Sequence, residues 1–147
     1  METIIGLGSA GCNIADKFAK HSQYKIIKFD VDLYGENCYF LPRFETPEEY
    51  EGHLSDYTSV FDKIDTDILF ILGGSGNVSG GALRLLEQIS PRQPNVLYIQ
   101  PNIALLGEKK RQQERLVYYV LQEYARSGLI KRLYLVSNTC LEEILGG

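Results

Sequence analysis

Residues 3–18 read TIIGLGSAGCNIADKF: a short apolar run, three glycines at Gly6, Gly8 and Gly11, then a segment with helical spacing. Strand, tight turn and helix in that order are the setting in which a GxGxxG loop has a physical purpose. Glycines let the chain turn sharply and let its backbone come close to a ligand. The helix that follows offers unpaired N–H groups and the positive end of its dipole, both suited to a phosphate. Ser9 and Ala10 are the small residues between the second and third glycines, and Asn13 falls in the first helical turn, where its amide can reach a ligand. The loop alone does not separate a mononucleotide site from a dinucleotide site. A tight turn without any ligand is the purely structural alternative.

Outward from this unit, strand and helix patterns keep alternating. Short, nearly continuous apolar runs predict strands near 2–5, 24–29, 67–72, 95–99 and 132–136, of the kind buried on both faces of a parallel sheet. Helical patterns lie near 10–21, 55–64, 80–89 and 108–127. In the last of these Leu116, Val117, Val120, Leu121, Tyr124 and Ala125 form an apolar stripe, and Gly128 is placed to end the helix. Residues 34–54, aromatic, acidic and interrupted by two prolines, read as an irregular excursion with one short edge strand. The sum is a single Rossmann-like α/β domain over residues 1–147, an open, mostly parallel sheet with helices on both faces.

Composition narrows the partners. A net charge of -4 and a pI near 5.2 leave no broad basic face for nucleic acid. The apolar runs are far shorter than the roughly 20 residues needed to span a bilayer, so no membrane insertion is expected. Three cysteines, Cys12, Cys38 and Cys140, without a CxxC pair suggest neither a disulfide framework nor a zinc site, and fit a cytoplasmic setting. His21 and His53 lie in polar stretches, and no Ser-His-Asp or Cys-His grouping stands out.

A second glycine loop follows the 67–72 run: DILFILGGSGNVSGGALRLLEQI places Gly73, Gly74, Ser75, Gly76, Asn77, Val78 and Ser79 between a buried strand and a helix. Two further segments matter, PNIALLGEKKRQQERLVYYVLQEYA and RLYLVSNTCLEEILGG. In order and spacing these four segments resemble the tubulin/FtsZ family, which carries a glycine loop after its first strand and a GGGTGTG or GGGTGSG signature after a later one. The third segment is similar to the family's strand, loop and GKKR or GRRR opening of a long helix. The fourth is similar to its strand, Pro-Asn-Asp and Leu-rich short helix.

The resemblance implies a guanine-nucleotide site holding GTP or GDP, with magnesium where a triphosphate is bound. Gly6, Gly8, Ser9, Ala10, Gly11 and Asn13 would wrap the phosphates. Asp32 matches the acidic residue of the family's second loop. Residues Gly73 to Ser79 fall on the signature, Lys110 and Arg111 of the Lys109–Arg111 cluster would reach ribose or phosphate, and Asn138 matches the asparagine that recognises guanine. The chain departs from the pattern in three places. Asn77 and β-branched Val78 replace small residues of the signature, which argues against tight triphosphate binding. Leu106 stands where a ribose-binding glutamate is common. The family's central helix and second domain do not follow, so hydrolysis would need a complementary subunit. The expected function is therefore guanine-nucleotide binding without hydrolysis by this chain alone, with assembly onto itself or a partner. A nucleotide-free structural subunit is the alternative. An NAD-type Rossmann domain, with Asp30 or Asp32 holding a ribose hydroxyl, is the third reading.

Overall fold

The computed structural model describes residues 2–31, 35, 37–41, 46, 49–50, 52, 56–73 and 81–137. The elements are β1 (Glu2–Leu7), α1 (Gly8–Phe18), β2 (Tyr24–Asp30), β3 (Cys38–Phe40), α2 (Thr58–Phe61), β4 (Asp67–Gly73), α3 (Ala82–Ile89), β5 (Asn95–Gln100), α4 (Glu108–Ser127) and β6 (Arg132–Ser137). The six strands form one sheet in the order β3-β2-β1-β4-β5-β6, and every neighbouring pair is parallel. Parallel neighbours need crossover connections; α1 supplies the one between β1 and β2, α3 that between β4 and β5, and α4 that between β5 and β6, whereas β2 and β3 are joined by residues 31–37.

Alternation along the strands divides the core in two. Ile4, Ile71 and Ile99 face α1, where Ala15 packs on them. Ile5, Leu7, Phe70, Leu72, Val96 and Tyr98 face the other way, onto Phe61 of α2, Leu85 and Leu86 of α3, and Val117 and Leu121 of α4. This is the Rossmann-like α/β architecture expected, with helices on both faces of an open parallel sheet. Burial on both faces is why the central strands β1, β4 and β5 read as unbroken apolar runs.

Several boundaries differ from the sequence reading. Each of the five anticipated strands runs further at its carboxyl end, most clearly β1, which continues through Gly6 and Leu7 in register with Ile71 and Leu72 of β4. The helix expected at 10–21 begins at Gly8 and stops at Phe18, because the polar residues after it form tight turns, His21 N–H to the Phe18 carbonyl and Tyr24 N–H to that of His21. The helix expected at 55–64 is a single turn, Thr58–Phe61. The helix at 108–127 is observed at Glu108–Ser127 and is closed by Gly128 at φ 84°, but Leu116 is 61% exposed. The buried stripe is Glu114, Val117 and Leu121, at spacings of three and four that leave Leu116 about 100° to one side. The edge strand anticipated within 34–54 is β3. The short helix expected after β6 lies outside the described residues.

Candidate functional site at the β1–β4 switch point

Chain connections leave β1 and β4 in opposite directions, one toward β2 and the other toward β5. A crevice opens between the carboxyl ends of two such strands, and ligands of open α/β sheets sit there. The two tips at this switch point are Leu7–Gly8 and Gly73.

The three glycines of the first loop do different things. A side-chain carbon on Gly6 would lie 2.6 Å from the Gly11 carbonyl oxygen, and one on Gly11 would lie 2.3 Å from that of Ile71. Both glycines therefore serve close packing, Gly6 of β1 under α1 and Gly11 of α1 against β4. Gly8 is the exception. It has φ 73°, a left-handed conformation that glycine adopts without strain, and a carbon added there would meet nothing within 4 Å. Among the described residues nothing stands on the side of the turn from which a phosphate would approach. Ser9, Ala10 and Asn13 are exposed on it. The α1 N-terminus has no side-chain cap from Leu7 and no acidic residue in its first turn, so the helix's own residues place no carboxylate on its first N–H groups.

Gly73 borders this turn: a carbon added to it would lie 3.5 Å from Cβ of Ala10 and 3.7 Å from the Ile99 carbonyl oxygen. The start of the second glycine loop is thus brought against the first. Gly74, Ser75, Gly76, Asn77, Val78 and Ser79, together with Asp32 and Asn138, lie outside the described residues. Lys110 is half-buried and Arg111 exposed in the first turn of α4, a helix entered from the carboxyl end of β5. Asp30 ends β2 half-buried, its Oδ1 accepting from the Val31 N–H at 2.8 Å.

Cys12 lies beneath the loop, its thiol 3.6 Å from the carbonyl oxygens of Gly6 and Phe29. Burial, reinforced by the Asp30 charge, pushes its pKa up to about 12, so the thiol stays protonated and supplies no nucleophile at neutral pH. On the α4 face, Tyr98 Oη donates to Glu114 Oε1 at 3.0 Å and Gln100 Nε2 donates to the same oxygen at 3.4 Å. Burial, then the Glu114 charge, holds the Tyr98 phenol well above its ordinary pKa. The sequence reading missed this cluster. Its signal was available, since Glu114 shares the helical stripe of Val117 and Leu121, an unusual place for a carboxylate.

Among the described residues no group of three or more His, Cys, Asp or Glu is placed to hold a metal ion, and no helix is long and apolar enough to cross a membrane. No protein-family model matches the chain, and no curated protein matches it in sequence. Among solved structures it is similar to a short-chain dehydrogenase/reductase from Burkholderia vietnamiensis, with a TM-score of 0.58 over 95% of this chain and 85% of that one, at 10% identity. Similarity at that identity establishes a shared fold.

Proposed function

We propose that this chain binds a nucleotide across the β1–β4 switch point, its phosphates resting on the Gly8 turn and the α1 N-terminus, and that the nucleotide is a guanine nucleotide. The observation carrying the proposal is Gly8: positive φ, no described residue within 4 Å of where a side chain would stand, and a helix N-terminus behind it without a side-chain cap from Leu7. The guanine assignment is supported by the sequence of the GGSGNVSGG loop, which begins at Gly73 beside Ala10, and by the resemblance of the SNT segment after β6 to a tubulin/FtsZ element. Hydrolysis by the chain alone is not part of the proposal.

A second reading, a nicotinamide dinucleotide, is favoured by Asp30. Its carboxylate stands at the tip of β2, beside β1 and about twenty residues beyond the loop, where such a domain binds a ribose hydroxyl. The likeness in fold to a dehydrogenase/reductase is compatible with it. Within the described residues this reading has the more direct support, whereas the guanine reading also accounts for the second loop.

Calorimetric titration with GTP, GDP, ATP and NAD, with and without magnesium, tests both. Selective guanine-nucleotide binding, insensitive to Asp30→Ala, supports the first reading. NAD binding that Asp30→Ala weakens about tenfold or more supports the second. Equal affinity for GTP and ATP removes the base assignment. No binding to any of them returns the chain to a structural subunit, for which the exposed Leu116 and Tyr119 of α4 offer contact surface.

A further inference from the structure

The Tyr98–Glu114–Gln100 cluster lies one strand beyond the switch point, on the same carboxyl edge of the sheet. Glu114 is 4% exposed although it carries a carboxylate. Such a group is costly to bury unless donors satisfy it. Its Oε1 receives one hydrogen bond from the Tyr98 hydroxyl, 3.0 Å away, and a second from the Gln100 amide nitrogen, 3.4 Å away. In that second bond the Gln100 amide nitrogen is the donor, so its NH2 faces Glu114. Its oxygen is the amide atom directed elsewhere. Gln100 is the last residue of β5 and half-buried, and β5 lies two strands from β1, about 10 Å from the tip that carries the Gly8 turn.

From this geometry we infer that Gln100 is a ligand-contacting residue whose side-chain oxygen accepts a hydrogen bond from a ribose hydroxyl, with Glu114 as the positioning residue that fixes which end of the amide faces the ligand. The inference rests on the nucleotide reading above and adds the sugar to it. A nucleotide anchored by phosphate at β1 and crossing β4 lays its sugar toward β5. The buried carboxylate makes the site discriminate: a glutamine free to flip would present a donor or an acceptor equally, whereas a glutamine held by Glu114 presents only the acceptor. Leu106, between β5 and α4, has no polar group to take that role.

The test compares GDP with 2′,3′-dideoxy-GDP, and NAD with the analogue lacking the 2′ and 3′ hydroxyls of its nicotinamide ribose if NAD is the nucleotide bound, in the wild type, Gln100→Ala and Glu114→Gln. The readout is the ratio of the two affinities, because a variant that merely perturbs folding weakens both ligands together and leaves the ratio alone. The wild type is expected to prefer the ribose form by about fivefold, the worth of one net hydrogen bond. Gln100→Ala should bring the ratio close to one. Glu114→Gln should lower it as well, since a neutral amide at 114 no longer dictates the orientation of Gln100. Binding with an unchanged ratio in Gln100→Ala, or a wild type indifferent to the hydroxyls, overturns this inference and leaves nucleotide binding standing. A wild type that binds no nucleotide overturns both.

Discussion

Replacing Gly11 with alanine probes the glycine that a side chain would crowd most among the described residues. An ideal Cβ at Gly11 would stand 2.3 Å from the Ile71 carbonyl oxygen and 3.2 Å from its carbonyl carbon. Non-bonded heavy atoms settle near 3.5 Å, so α1 would have to retreat from β4 by roughly 1 Å. The obstacle cannot swing aside. It is backbone of a strand paired with β1 on one side and β5 on the other. Overpacking of this kind costs about 1–3 kcal/mol, and a rigid neighbour places it at the upper end. Alanine in a helix returns up to about 1 kcal/mol relative to glycine. The net expectation is about 2 kcal/mol of destabilisation, or a melting temperature lower by roughly 5–10 °C for a domain of this size. Urea unfolding should show a lower midpoint with an unchanged slope. Gly107→Ala is the control. Gly107 has an ordinary φ of -69° and a carbon there meets no described residue within 4 Å; because it is the N-cap of α4, where glycine outranks alanine, the change should cost no more than about 1 kcal/mol. If Gly11→Ala proves as stable as Gly107→Ala, the account of α1 pinned to β4 is wrong.

Gly8→Ala should act through backbone strain and direct obstruction of the ligand rather than through overpacking. The left-handed backbone at φ 73° costs an alanine about 1–2 kcal/mol without any clash, while the new methyl occupies the open side of the turn and should weaken nucleotide binding at least tenfold, so calorimetry showing wild-type affinity would place the phosphates elsewhere. For Cys12, raised to about 12 from an ordinary 9.0, the folded state holds the proton more tightly than the unfolded chain. Its contribution to stability is complete below pH 9 and lost as pH rises toward 12, and urea midpoints of Cys12→Ala measured across that window should fall less steeply than those of the wild type. In α4, Leu121→Ala should cost about 2–5 kcal/mol because Leu121 is fully buried. Leu116→Lys, at an exposed position, should stay within about 0.5 kcal/mol of the wild type in the same denaturation assay.

The sheet was legible because the central strands β1, β4 and β5 are covered on both faces and so read as apolar runs, with glycine and polar residues between runs; the edge strand β6 reads the same way although Tyr134 and Leu135 are exposed. The same logic misplaced the strand ends. Gly6 punctuates the sequence yet sits mid-strand, paired opposite Lys28 and Ile71, and it is glycine because α1 crosses closely above it. The separate tasks of Gly6, Gly8 and Gly11 could not be read from their spacing. They follow from where β4 passes, and Ile71 is sixty residues further along the chain. Leu116 was misread for a simpler reason: an apolar residue on the flank of a stripe satisfies the helical pattern without facing the core. Glu114 shows the converse, a charged residue inside the stripe that only the Tyr98 hydroxyl and Gln100 amide explain.

Stability and binding meet in the contact between Gly11 and Ile71. The Gly8 turn and the first N–H groups of α1 are rigidly joined to Gly11, while Gly73 continues the strand that carries Ile71. The distance between α1 and β4 therefore sets the width of the crevice at the switch point. A retreat of roughly 1 Å would carry a helix N–H from a normal hydrogen-bond distance of about 2.9 Å to nearly 4 Å from a phosphate held on the β4 side, too long to count as a bond. Gly11→Ala should thus lose nucleotide affinity under conditions in which it is fully folded, by at least the tenfold expected for Gly8→Ala, although its methyl never touches the ligand. Circular dichroism establishes the folded fraction and calorimetry the affinity. A folded Gly11→Ala protein that binds as tightly as the wild type would show that the phosphate contacts come from the Gly8 turn alone, and that the spacing of α1 and β4 serves packing only.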